Sequence, residues 1–144
     1  WDDHEIANDC YVNGAQNHQT ETEGDWEKRK KAATTAYFEW MTIRAGKVYR
    51  TIKCGELAEL ILLDERLEGR TKQLKRNHPD FYNCDRTILG SQQYNWFIDN
   101  LVQSEENWEL VVSQVNFSHW NVQHPHVKKP KIKEKFKIMI YSKL

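Results

Sequence analysis

Leu60-Ile61-Leu62-Leu63, closed by Asp64 and followed by Glu65-Arg66, is the stretch on which the fold turns. A strand with one wet face alternates polar and apolar residues, whereas an unbroken apolar run of strand length reads as a strand covered on both faces. Coverage on both faces requires layers. The expected fold class is therefore α/β, a partial layered β core with flanking helices. Polar residues at the end of such a strand commonly line sites, and this one ends on Asp64.

Upstream, Val48-Tyr49-Arg50-Thr51-Ile52 alternates as a strand does, and Gly55 marks the turn before the apolar run. Further upstream, Asp25 suits a helix cap, and Trp26, Ala33, Tyr37 and Trp40 recur along one helical face. The opposite face carries Lys28, Arg29, Lys30 and Lys31, which reads as a solvated surface rather than a phosphate grip. Downstream, residues 68–89 are hydrophilic and contain Gly69 and Pro79, as a long excursion would. A second helix is expected over Ser91 to Gln103, with Tyr94, Phe97, Ile98 and Leu101 at helical spacing. Trp108 to Val115 then reads as another buried strand delivering Gln114, Asn116 and His119 to its far end.

The 144 residues suit one domain, and 39% hydrophobic content supplies one packed core. No apolar run approaches the roughly 18 residues of a membrane span. Lys+Arg and Asp+Glu balance at 21 each, yet residues 128–144 hold seven Lys and one Glu, so residues 1–127 carry the compensating negative charge. An acidic body whose first 25 residues contain seven Asp/Glu and no Lys or Arg repels phosphate backbones, so no specific nucleic-acid partner is expected and metal ions become plausible ones. The division drawn is thus a domain over 1–127 and a lysine-rich tail over 128–144, read as a solvated or frayed end. Cys10, Cys54 and Cys84 are odd in number and lack metal-ribbon spacing, so no disulfide framework is indicated. With Trp1 in place of an initiator Met, the chain is expected to lack its true start.

Chemistry concentrates in Trp1-Asp2-Asp3-His4-Glu5-Ile6-Ala7-Asn8-Asp9, which packs four carboxylates, an imidazole and a carboxamide into nine residues. Oxygen donors suit hard cations, and an imidazole widens the choice toward iron and zinc. The same composition also suits an acidic loop whose Asp and Asn build turns, and composition leaves both readings open. His4, beside carboxylates, is suited to donate a proton or hydrogen-bond a phosphate. His119, His124 and His126 lie close together but flank Pro125 without supporting ligands, and are not read as a metal set. Walker, nucleophile-elbow and dinucleotide patterns do not occur.

Trp1-Asp2-Asp3-His4-Glu5 with Asn8, Asn17-His18-Gln19, Glu23-Gly24-Asp25-Trp26, Ala36-Tyr37-Phe38-Glu39-Trp40-Met41, Leu63-Asp64-Glu65-Arg66, Arg86-Thr87-Ile88-Leu89-Gly90 and Ser113-Gln114-Val115 together resemble the central portion of the alkaline phosphatase D (PhoD-like) family. The resemblance covers about residues 1–122. It implies a calcineurin-like metallophosphoesterase architecture, hydrolysis of phosphate mono- or diesters, and a cluster of divalent or trivalent metal ions, calcium and iron among them. Family members are often exported, which would place the protein outside the cell or in the periplasm. Residue by residue, the resemblance implies Asp3 as a metal-side carboxylate, Asn8 as an amide-oxygen ligand and His4 near the phosphate. Arg66 is a candidate substrate contact, although an Arg beside Asp64 and Glu65 also suits a structural ion pair. Family ligand motifs expected before Trp1 and near the C-terminus, including a Gly-Asp-x-His type, fall outside this sequence, so the piece is expected to be truncated at both ends and inactive by itself. The competing class is a noncatalytic binding module using the basic tail.

Overall fold

The computed structural model describes residues 4–44, 46–115 and, as backbone, 137–142. Strand β1 (Arg50–Cys54) turns back antiparallel onto β2 (Ala58–Leu62) through Gly55, whose φ of 63° suits a residue without a side chain. β2 then pairs in parallel with β3 (Trp108–Ser113), and β4 (Lys137–Ser142) closes the order β1-β2-β3-β4 by running antiparallel to β3. A parallel pair needs a long crossover, and residues 63–107 supply it with helix α3 (Gly90–Gln103).

Helix α3 covers one sheet face. Ile61 and Val111, paired across β2 and β3, are buried there with Leu63 against Leu89, Trp96, Phe97 and Leu101. On the other face Leu60, Leu62, Leu110 and Val112 are only half-buried among the described residues. The apolar run at 60–63 is therefore a layered-sheet strand as expected, but its two faces are covered unequally.

Helix α2 (Trp26–Trp40) begins where expected, with Asp25 Oδ1 accepting from Lys28 N at 2.9 Å. Its packed stripe stops short of its end: Trp26 is buried, Ala33 and Tyr37 are half-buried against the same core, and Trp40 is 85% exposed. Two expectations need correcting. Residues 1–25, polar and without a sustained hydrophobic period, are expected to form one long loop, yet within the described part Ile6, Ala7, Cys10 and Ala15 are buried with Trp26 and Leu67 in a second small core. The short helix α1 (Thr20–Glu23) follows that segment. The lysine-rich tail is not wholly a frayed end, because Lys137–Ser142 forms β4, with Ile138, Met139 and Ile140 in register with Val112, Val111 and Leu110 of β3. The boundary drawn at 127/128 itself lies outside the described residues.

The excursion at 68–89 contains a 3₁₀ turn, Pro79–Tyr82, and returns against its own start. A methyl group on Gly69 would lie 2.2 Å from the Leu89 carbonyl oxygen, so the two backbones can pass this closely only with glycine there.

Candidate functional site

The end of β2 is fixed by side chains acting as backbone. Gln93, buried on α3, accepts from Asp64 N and donates Nε2 to Asp64 O, both at 2.7 Å, so its carboxamide serves Asp64 as an adjoining strand would. Asp64, fully buried, turns its own Oδ1 onto the amides of Arg66 (2.9 Å) and Leu67 (3.1 Å). Burial raises its carboxyl pKa against the lowering effect of those two amides and of the nearby Arg66 charge. Glu68 is raised likewise, by burial first and then by the Asp64 charge.

Glu65 reaches the other way. Its carboxylate accepts from Ser113 Oγ (3.0 and 2.9 Å), Gln114 N (2.6 Å) and Val115 N (2.9 Å), while Glu65 N donates to Gln114 Oε1 at 2.6 Å. Residues 48 to 50 positions apart are thereby joined. Arg66 follows, with its side chain only 3% exposed and Nη1 directed 3.4 Å from Asp9 Oδ1.

Asp9 belongs to the loop that carries His4 and Asn8. It sits at φ 48°, a left-handed position that Asp tolerates better than most residues, and Gln73 Nε2 also approaches its Oδ1 at 3.5 Å. Asn8 N donates to Asn17 Oδ1 at 2.8 Å and Asn8 Nδ2 donates to Gln16 Oε1. With its amide nitrogen so committed, the carboxamide is oriented and its carbonyl oxygen is the end suited to a hard cation. Helix α2 grips the same loop from behind: Trp26 Nε1 and Lys30 Nζ both donate to Val12 O at 3.1 Å, and Arg29 Nη2 donates to Ile6 O at 3.0 Å. Arg29 and Lys30 thus work as loop anchors rather than a solvated face, while Lys28 and Lys31 remain exposed. Beside the loop a cleft of ≈ 380 Å³ is lined by Asp9, Tyr11, Gln16, Lys72, Gln73 and Lys75 among others.

His4 is exposed at the start of the described loop, Asn8 is half-buried four residues on, and Arg66 lies beneath Asp9. Asp3, Asn116, His119, His124 and His126 lie outside the described residues. Among the described residues no group of three or more His, Cys, Asp or Glu side chains is placed to hold a metal ion. Glu65, Gln93 and Ser113 escaped functional reading, because a polar residue whose partner lies tens of positions away carries no local signal.

The profile of one family, described as PhoD-like phosphatase, matches residues 1–137. The chain belongs to that family. Alkaline phosphatase D of Bacillus subtilis (strain 168) is 33% identical to it over 134 residues, covering 84% of this chain and 22% of that protein. A solved structure titled "Structure of PhoD" superposes with a TM-score of 0.71 at 30% identity, covering 84% of this chain and 25% of that one. The chain therefore spans about a quarter or less of these PhoD relatives. PhoD-like phosphatases are metalloenzymes in general, and the donor chemistry of Asn8 fits one position of such a hard-cation site. Segments that carried the PhoD resemblance also prove to be physical partners: Glu65 with Ser113-Gln114-Val115, and Trp26 with His18, whose ring centroids lie 5.1 Å apart.

Proposed function

We propose that this chain is part of a metal-dependent phosphoester hydrolase acting on mono- or diesters, to which it contributes Asp3 and Asn8 on the metal side, His4 at the phosphate and Arg66 on the substrate side. Residues 1–144 alone are inactive in this reading, because the ligands that complete the site lie elsewhere in a protein of the relatives' length. The observation carrying the proposal is the oriented Asn8, whose carboxamide donates to Gln16 and whose backbone N–H donates to Asn17, in a loop that α2 and Arg66 both brace, within a family of phosphatases.

Asn8, with Asp3, would hold the cation, of which calcium and iron are the proposed kinds. When bound, such an ion neutralises phosphoryl charge and lowers the pKa of water. The chain's own groups do the rest. His4 donates a hydrogen bond or proton to an ester oxygen, and the Arg66 guanidinium, which already holds a carboxylate oxygen of Asp9, favours an anionic phosphoryl group on its side of the loop.

Hydrolysis of chromogenic phosphate mono- and diesters tests this in the full-length protein and in residues 1–144. Activity in the former is expected to vanish with chelator, return with Ca²⁺ and iron, and fall roughly 100-fold or more in His4→Ala. Residues 1–144 are expected to show none. Undiminished turnover after exhaustive chelation, or in His4→Ala, would sink the proposal.

A further inference from the structure

We propose that Glu65 is the positioning residue for Arg66, setting the substrate-side guanidinium through its grip on the end of β3; this rests on the functional reading above. The geometry is lopsided in a telling way. Glu65 is 5% exposed, and its carboxylate accepts from a hydroxyl and two backbone amides, all contributed by residues 113–115. A buried carboxylate tied so closely to one tripeptide fixes the distance between two strand ends. The Glu65 N to Gln114 Oε1 bond closes the same link from the backbone side. The adjacent peptide is pinned independently, by Asp64 Oδ1 on Arg66 N and Leu67 N and by Gln93 on Asp64. Arg66 therefore departs from a backbone held on both sides, and its buried stem leads to Asp9, next to Asn8.

Glutamine at 65 keeps the shape but offers a single neutral oxygen where the carboxylate Oε2 takes Ser113 Oγ and the amides of Gln114 and Val115, so the charge-assisted bonds that fix the turn weaken. Ser113→Ala removes one donor and leaves the amides of Gln114 and Val115 in place. In the full-length protein, competitive inhibition by inorganic phosphate reads the substrate-side guanidinium, and thermal melting reads folding. Glu65→Gln is expected to weaken phosphate inhibition about tenfold, as displacement of a positioned group does, and Ser113→Ala to do so less with little change in melting temperature. Because Glu65 acts through Arg66, Glu65→Gln combined with Arg66→Lys is expected to be no worse than Arg66→Lys alone. Multiplying effects in the double variant would overturn the inference. So would Glu65→Gln and Ser113→Ala both lowering the melting temperature while phosphate inhibition stays unchanged and Arg66→Lys weakens it. If neither Arg66→Lys nor Asn8→Ala alters phosphate inhibition, the functional reading falls and this inference falls with it.

Discussion

The end of β2 and the loop at 4–16 are both polar turns, yet they are held in opposite ways. At 64–66 the hydrogen bonds run between buried groups far apart in sequence, from α3 on one side and β3 on the other. At 4–16 the candidate ligand Asn8 bonds to near neighbours at an exposed edge, and long-range support reaches the loop mainly through carbonyls of Ile6 and Val12. The difference separates a support from the groups it presents. A ligand side chain must reach solvent to meet an ion or a phosphate, whereas the turn behind it gains precision by being dry.

The sharpest way to break that contrast is to cut one bond set in each region. Gln93→Leu is close in shape but leaves the buried N–H and C=O of Asp64 without their partner, and is expected to cost about 3 kcal/mol in urea unfolding. Asn17→Ala removes the acceptor for Asn8 N at an exposed site, where water replaces it, and is expected to cost less than about 1 kcal/mol. Equal costs would show that the two turns are not support and presentation but one equally shared scaffold.

The buried turn also carries a titrating group, Asp64. Its folded pKa stands above the usual aspartate value of 3.8, chiefly because burial disfavours the charge. The folded state thus holds the proton more tightly than the unfolded chain, so this stabilising contribution is complete below about that value and is lost as pH rises through the folded pKa. Asp64→Asn keeps an oxygen for the amides of Arg66 and Leu67 but carries no charge. Its stability relative to the parent is expected to improve as pH climbs from 4 toward neutrality, followed by chemical unfolding at several pH values. A constant difference across that range would mean that Asp64 is ionised alike in both states.

How much of this was legible follows the same division. The run at 60–63 announced a layered strand because hydrophobic content is local, and Asp25 announced a helix start because a cap acts three residues away. His4 and Asn8 were legible as candidate groups from their residue types and the company they keep. The support was not. Glu65 finds its partners 48 to 50 residues on, and Gln93 finds Asp64 29 residues back, so neither has a periodicity or spacing to betray it. Arg29 and Lys30 misled for a related reason: a basic helical face looks solvated until another segment brings carbonyls to it. The tail misled because its lysines outweighed the short apolar run Ile138-Met139-Ile140 inside 137–142, the segment that extends the sheet.

The finest test concerns how the loop is tied to α2. Val12 O receives both Trp26 Nε1 and Lys30 Nζ, so Trp26→Phe deletes one donor without leaving the carbonyl bare. The cost is expected to be about 1 kcal/mol, the net worth of one hydrogen bond. Were the loop part of the same cooperative unit as the sheet, that loss would speed hydrogen exchange at every protected amide alike. Because the loop has its own small core, the acceleration is expected at Tyr11 N, bonded to Gly14 O at 2.8 Å, by about fivefold, with the amides of Ile61 and Val111 unchanged. Uniform acceleration would join the two regions into one unit and remove the distinction between a rigid support and a separately yielding ligand loop.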